Sequence, residues 1–222
     1  IQFMIKASGI QKSYEALKVL KGIELTIPTG EIVSIVGASG AGKSTLLHIL
    51  GTLDTADSGK VTIDDVEITS LSARKLALFR NQKIGFVFQS HHLLPEFNAL
   101  ENVMMPALIF GSSKKEASTK ASYFLDLLGL SERLTHRPSE LSGGEQQRVA
   151  VARALVNGPS VVFADEPSGN LDSASAKALH KLFLDLRQQL KHTFVIVTHN
   201  EELAGMADRK LVMKDGLLVN QN

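Results

Sequence analysis

A glycine-rich loop between an apolar run and a helical run constrains the fold more than any other feature. The apolar run Ile32–Val36 lies between glycines and is typical of a strand buried in a parallel sheet. The loop at residues 37–44 matches the pattern G-x-x-x-x-G-K-[ST], and a helical run follows it to residue 50. A strand, a glycine-rich turn and a helix in this order predict an α/β fold with a phosphate-binding loop.

The residues of this loop suit the phosphates of a nucleotide. Glycines let the backbone curl so that its N–H groups face phosphate oxygens, and the dipole of the following helix favours the same anion. Lys43 is predicted to reach the β- and γ-phosphates, and the Ser44 hydroxyl to bind Mg²⁺. A glycine-rich turn with an incidental lysine is the alternative. The predicted nucleotide-binding residues are Gly37, Ala38, Ser39, Gly40, Ala41, Gly42, Lys43, Ser44 and Thr45.

Polar side chains follow two further apolar runs at the point where each run ends. Residues 161–164 lead directly into Asp165 and Glu166, and residues 194–197 lead to His199. Ligands of open α/β sheets bind beyond the carboxyl ends of the strands, so these side chains are expected near the phosphate loop. We assign Asp165 to the metal and Glu166 to activation of the attacking water as a general base. His199 is a candidate contact to the γ-phosphate, although a lone histidine at a strand end is usually a packing residue.

The remaining pattern predicts one α/β domain over residues 1–222, with Met4 as the expected native start. Residues 90–156 are mostly helical by their periodicity, which predicts a helical subdomain inserted into a strand-rich core. Alternating apolar residues at positions 3–7 and 23–27 indicate strands with one buried face, and residues 84–88 another buried strand.

Composition excludes several classes of protein. The chain carries 24 Lys and Arg against 23 Asp and Glu, a balance that offers no basic surface for a nucleic-acid backbone. There is no cysteine, so disulfides and thiolate metal sites are excluded. No apolar stretch is long enough to span a membrane, and no signal peptide is visible. We therefore expect any contact with a membrane to be made from its cytoplasmic surface.

A second glycine-rich helix start lies at residues 142–145. Ser142 and Glu145 have the S-x-x-E spacing of a capping box, which is the structural interpretation. The N–H groups of Gly143 and Gly144 are also open to an anion, which makes this a second phosphate-facing surface. One subunit cannot wrap both surfaces around one nucleotide, so we expect a head-to-tail dimer.

The segment Leu-Ser-Gly-Gly-Glu-Gln-Gln at residues 141–147 resembles the signature of the ATP-binding cassette (ABC) ATPases, and the resemblance covers essentially the whole chain. It implies a P-loop ATPase with an antiparallel β subdomain and a helical subdomain. Two copies are expected to sandwich two Mg·ATP, each held by one loop and by Ser142, Gly143, Gly144 and Glu145 of the other copy. The resemblance further implies that Tyr14 stacks on adenine, that Gln89 links Mg²⁺ to the helical subdomain, and that His199 is the switch histidine. The implied catalytic set is Lys43, Gln89, Glu166 and His199, and the metal ligands are Ser44, Gln89 and Asp165.

A narrower resemblance is to the group of cassettes that includes LolD, MacB and FtsE. Residues 166–172 read Glu-Pro-Ser-Gly-Asn-Leu-Asp, with Ser168 where the group usually has threonine, and residues 88–103 look most similar to the lipoprotein-releasing members. This implies LolC/LolE-like permease subunits, lipoproteins as indirect cargo and a peripheral place on the cytoplasmic face of the bacterial inner membrane. A MacB-like exporter cassette and an FtsE-like division ATPase remain alternatives, and Asn200 departs from the aspartate that commonly follows the switch histidine.

The segment from Gln89 to Val103 is the predicted docking site for the membrane partner. It holds several apolar residues among few charges, more than a short loop-rich segment can bury in its own core. We expect Leu94 and Phe97 to line an exposed groove, because Pro95 breaks regular structure between them. Packing within the subdomain is the alternative.

Overall fold

Residues 2–221 are described by a computed structural model, which contains two sheets and seven α-helices. The strands are β1 (Phe3–Tyr14), β2 (Leu17–Pro28), β3 (Ile32–Val36), β4 (Ser58–Ile63), β5 (Val66–Glu67), β6 (Ile84–Phe88), β7 (Val161–Asp165), β8 (Thr193–Val197), β9 (Arg209–Lys214) and β10 (Leu217–Gln221). The helices are α1 (Lys43–Leu50), α2 (Ala73–Lys83), α3 (Ala99–Phe110), α4 (Lys114–Leu127), α5 (Gly143–Leu155), α6 (Ser173–Leu190) and α7 (Glu201–Gly205).

The first sheet is antiparallel, with the strand order β2-β1-β4-β5. Its long strands β1 and β2 alternate between buried and exposed residues over much of their length, with Ile5, Ile10, Ile23 and Ile27 on the buried face. One face of the sheet therefore joins the core and the other faces solvent, as the alternating apolar residues predict.

The second sheet has the order β10-β9-β3-β8-β7-β6 and is parallel from β9 to β6. Strands β3 and β8 are buried along their whole length, since helices and the first sheet cover both faces. Val33 and Ile35 pack with Leu46 and Leu47 of α1 on one face. The carboxyl ends of β3, β7 and β8 lie side by side, which brings the glycine loop, the acidic pair and His199 to one edge.

Helices α3, α4 and α5 form most of the segment predicted to be helical. Helix α4 buries one apolar face, on which Ala117, Ala121 and Leu125 are fully buried. Helix α5 also packs against β6, where a side chain at Gly85 would meet the Ala154 carbonyl oxygen at 2.5 Å. The helical segment is thus fixed to the edge of the parallel sheet. Within residues 2–221 no helix has the length and apolar character needed to cross a membrane.

Candidate active site

The glycine loop between β3 and α1 has a backbone that side chains would obstruct. Gly37 has φ +156°, and a Cβ there would lie 2.2 Å from the Met213 carbonyl oxygen. Gly42 caps α1 in the left-handed conformation, with φ +98°. Lys43 Nζ donates to the carbonyl oxygens of Gly37 and Ala38 at 2.9 and 3.0 Å. The ammonium group therefore lies over the loop that its own helix follows, as a phosphate-binding lysine requires.

A pocket of about 530 Å³ opens over this loop. It is lined by most of the predicted loop residues together with Glu166 and His199, which come from the ends of β7 and β8. Leu17 and Val19 of β2 complete the lining, and sequence reasoning missed both. The alternation of β2 marks residues that share a face, but it gives no sign that this end of the strand reaches the loop.

Ser44 and Asp165 form an oxygen pair beside the loop. The Ser44 hydroxyl donates to Asp165 Oδ1 at 3.1 Å. Burial raises the pKa of Asp165, the neighbouring Glu166 charge adds to that effect, and the Ser44 hydrogen bond opposes it. A nearby cation stabilises the charged form of a carboxylate that is desolvated in this way. Magnesium is commonly held by one or two carboxylates together with substrate phosphates, so these oxygens fit Mg²⁺.

Glu166 and His199 lie in contact at the mouth of the pocket. His199 Nδ1 is 2.9 Å from Glu166 Oε2, and the His199 backbone N–H donates to the same oxygen at 3.2 Å. Glu166 has φ +47°, a conformation that is uncommon for residues other than glycine and concentrates at functional sites. Its side chain is 19% exposed against 73% for His199. The carboxylate is thus held in one direction while remaining open to a water molecule.

Gln89, at the end of β6, joins the same site through a second pocket of about 330 Å³. That pocket is lined by Gln89, Ser44, Asp165 and Glu166, among others, so the three predicted metal ligands lie around one space. The Gln89 amide donates to Asn170 Oδ1 at 3.0 Å, and Asn170 Nδ2 donates back to the Gln89 carbonyl oxygen at 3.3 Å. Sequence reasoning did not predict this pairing, because 81 positions separate the two residues.

Tyr14 lies at the end of β1 and is about half exposed. Its hydroxyl donates to Asp54, which raises the pKa of Tyr14, and the Lys12 ammonium lies 5.0 Å from the ring centroid. Within the described chain Tyr14 is not among the residues that line the two phosphate-side pockets. Its stacking on adenine therefore stays a prediction.

The second glycine-rich helix start is capped by its own side chains. Ser142 Oγ accepts from the Glu145 N–H at 3.3 Å, and the Glu145 carboxylate accepts from the Ser142 N–H at 2.8 Å. Arg133 Nε donates to the same carboxylate at 2.9 Å and, together with the cap, lowers the pKa of Glu145 to about 2. The capping box is confirmed. Over residues 2–221, neither pocket beside the phosphate loop includes a residue of this segment.

The predicted docking segment is only partly exposed. Leu94 is 41% exposed, whereas Phe97 is half-buried and Val103 is fully buried. The buried Asn102 amide holds this turn, accepting from the Leu94 N–H at 2.8 Å and donating to the Phe97 carbonyl oxygen at 3.0 Å. The segment is therefore ordered by its own hydrogen bonds.

A larger apolar cleft of about 550 Å³ lies beside that segment, between the parallel sheet and the helical subdomain. Arg153 donates to the carbonyl oxygens of His91 and His92 at 2.7 and 2.6 Å at one side of it. Sequence reasoning missed this cleft, because its walls come from residues between positions 53 and 157. Its lining includes Arg80, Ile84, Phe86, Phe88, Ile109 and Arg153.

Comparison with known proteins identifies the family that this site belongs to. The ABC transporter family model matches residues 20–169, which is more than half of the chain. The chain belongs to the ABC transporter family. The cassette is 59% identical over 219 residues to the lipoprotein-releasing system ATP-binding protein LolD of Cytophaga hutchinsonii, covering 99% of this chain and all of that one. It is 60% identical over 218 residues to the protein of the same name from Porphyromonas gingivalis, covering 98% of this chain and all of that one.

Solved structures give the cassette the same fold. A dimeric, post-hydrolysis state of the ATP-binding cassette MJ0796 bound to ADP and Pi superposes with a TM-score of 0.90. The two chains are 38% identical, with 99% of this cassette and 98% of that chain covered. The predicted fold is therefore confirmed, and the cassette is an ABC-type ATPase that binds ATP. The roles of individual site residues stay predictions.

Proposed function

We propose that this ATPase powers the release of lipoproteins from a membrane, together with LolC/LolE-like integral membrane subunits. The observation that carries the proposal is the match of about 60% identity, over nearly the whole of both chains, to proteins named for lipoprotein release. In this assignment the cassette is peripheral on the cytoplasmic face of the inner membrane, where its subunits meet ATP.

Hydrolysis uses the carboxylate of Glu166 as general base. Glu166 takes a proton from a water molecule as the water oxygen bonds to the γ-phosphorus, and the bond from the γ-phosphorus to the β,γ-bridging oxygen breaks to release ADP. The contact of 2.9 Å to His199 Nδ1 keeps Oε2 in place. Lys43 neutralises negative charge on the transferred γ-phosphoryl group, and this lowers the energy of the transition state.

Magnesium fits the oxygens of Ser44 and Asp165, with the Gln89 amide at the edge of the same space. When bound there, Mg²⁺ supplies charge neutralisation at the phosphate oxygens. The chain's own contribution is to hold these side chains at the carboxyl ends of β6 and β7 and at the start of α1. Their side chains then need to move little when Mg²⁺ binds.

The capped helix start at Ser142 is proposed to cover the nucleotide of a second copy. Its side chains complete the cap, while the N–H groups of Gly143 and Gly144 point out of the first turn of α5. Those groups and the dipole of α5 suit the γ-phosphate. A two-fold dimer forms two equivalent sites of this kind, and the MJ0796 cassette is dimeric in its ADP- and Pi-bound structure.

The apolar cleft of about 550 Å³ is proposed to receive a short cytoplasmic helix of the membrane subunits. A cleft of this size, with a mostly apolar lining and a few arginine and asparagine side chains, suits helix-in-groove recognition. It lies next to the segment predicted from the sequence and continues it towards α2. Ile109 is 69% exposed at its wall, so a partner can reach it directly.

Reconstitution of the cassette with its membrane subunits in vesicles that carry an acylated lipoprotein tests the proposal. We expect ATP-dependent release with the wild-type cassette and none with Glu166→Gln. Ile109→Glu is expected to abolish both co-purification with the membrane subunits and release. Tyr123→Glu, at an exposed position outside the cleft lining, is the matched control and is expected to retain both. ATP hydrolysis with the lipoprotein still in the vesicles contradicts the proposed cargo.

A further inference from the structure

A buried histidine lies directly beneath the turn that follows Glu166. His180 on α6 is 1% exposed, and its Nε2 lies 3.0 Å from the hydroxyl oxygen of Ser168. Ser168 is itself 8% exposed. This hydroxyl is the only hydrogen-bond partner that the described residues give the ring, because His180 Nδ1 is buried without one.

The burial of the His180 ring favours its uncharged form. Burial lowers the pKa of His180, and the charge of Glu202 offsets this only in part. A neutral imidazole has one donor and one acceptor nitrogen, so either tautomer can bond a hydroxyl that both donates and accepts. A buried neutral hydrogen bond adds only modestly to stability, since apolar groups of the same shape are nearly as favourable. Its main physical consequence is a fixed direction for Ser168.

The turn held in this way is joined to the active site on both sides. The Gly169 N–H donates to the Glu166 carbonyl oxygen at 3.0 Å, immediately below the general base. The next residue, Asn170, pairs with the amide and carbonyl groups of Gln89. A side chain at Gly169 would lie 2.7 Å from Gln89 Nε2, so the turn and Gln89 are also in close contact.

We propose that His180 is a positioning residue for ATP hydrolysis, which holds Ser168 so that the turn keeps Glu166 and Gln89 in their reactive directions. The inference builds on the role proposed for Glu166. His180 touches neither the substrate nor the reacting atoms, and it acts only through the Ser168 hydroxyl.

A double-mutant cycle on the full chain tests this pairing. Ser168→Ala removes the hydroxyl, and His180→Phe replaces the imidazole with a somewhat larger aromatic ring that has no nitrogen. Each is expected to lower kcat about threefold to tenfold, the value of one neutral hydrogen bond, with little change in the KM for ATP. The double variant is expected to be no slower than the slower single variant. Ser160→Ala, which removes a hydroxyl bonded to Asp64 away from the site, is the control and is expected to keep kcat.

The outcomes separate this inference from the proposed catalytic role. Multiplying effects in the double variant, a rise in KM at constant kcat, or an unchanged kcat in Ser168→Ala would each overturn the role of His180. If His180→Phe fails to fold, Ser168→Ala alone decides, because a kcat equal to that of the wild type contradicts the proposal. Full turnover by Glu166→Gln instead removes the catalytic role itself, whatever the cycle shows.

Discussion

The chain contains two glycine-rich helix starts, and they differ in what surrounds them. At the start of α1, Lys43 and Ser44 share pockets with Asp165, Glu166 and His199 from the ends of β7 and β8. At the start of α5, the side chains of Ser142 and Glu145 bond to each other, and Arg133 completes the group. Within one chain, the first start gathers the lysine, hydroxyl, carboxylates and histidine of the proposed catalytic site. The second start offers only its backbone N–H groups, and in the proposed dimer it covers the nucleotide of another copy.

The largest effect is expected at the first start, from Glu166→Gln. The substitution keeps the shape of the side chain but removes the base, so turnover should fall by about 10² to 10⁴. ATP binding should persist, and the variant should accumulate as an ATP-dependent dimer on size-exclusion chromatography. A variant that binds ATP but stays monomeric would contradict the proposed dimer, because the start of α5 would then have no nucleotide of a second copy to cover.

An intermediate effect is expected at the second start, from Ser142→Asp. Aspartate caps a helix about as well as serine, so thermal stability should be kept. Its charge faces the phosphate of the other copy, and like charges at close range should weaken ATP-dependent dimerisation by about tenfold or more. The readout is the ATP concentration needed for dimerisation on size-exclusion chromatography.

The chain provides a matched control for that substitution. Ser113 caps α4 with the same reciprocal bonds to Glu116. Ser113→Asp is expected to leave both stability and dimerisation unchanged. Equal behaviour of the two variants would show that the start of α5 is only a cap.

The smallest effect is expected from Arg133→Met, which removes the ion pair to Glu145. The pKa of Glu145 lies below its ordinary 4.5, at about 2, so the associated stability is present above pH 4.5 and is lost as the pH falls towards 2. Because Arg133 is partly exposed, the variant should lose about 1 kcal/mol of unfolding free energy at pH 7. Urea denaturation at a series of pH values measures this. A difference that stays constant down to pH 2 would assign the loss to packing of the Arg133 stem.

Much of the first start could be predicted from the sequence, because its parts are local. The apolar runs of β3, β7 and β8 end in the residues that form the site, and parallel strands place those ends together. The periodicity of residues 90–156, which predicts the helical subdomain, is local in the same way. Helix α2 was not predicted, since none of its residues is fully buried and only Leu76 and Phe79 pack against the core.

The contacts that sequence reasoning missed join distant segments through polar or mixed surfaces. Gln89 meets Asn170, and His180 meets Ser168, with no periodic pattern to connect either pair. The docking prediction did not include the cleft of about 550 Å³, because a cleft depends on how α2, β6 and α5 are placed. The adenine contact of Tyr14 rests on family resemblance alone. The structure shows the Tyr14 hydroxyl bonded to Asp54, a contact that says nothing about adenine.

Mixing two inactive variants tests most directly the central claim that each site is built from two copies. Lys43→Ala damages the first start and Ser142→Asp the second, and each variant alone should hydrolyse little ATP at an ATP concentration too low for the Ser142→Asp variant to dimerise. In a mixed dimer one site joins both damaged halves, while the other joins an intact loop with an intact helix start. Random pairing of equal amounts should therefore restore about a quarter of the wild-type rate in a steady-state ATPase assay. A mixture no more active than the sum of its separate components would contradict a site shared between two chains.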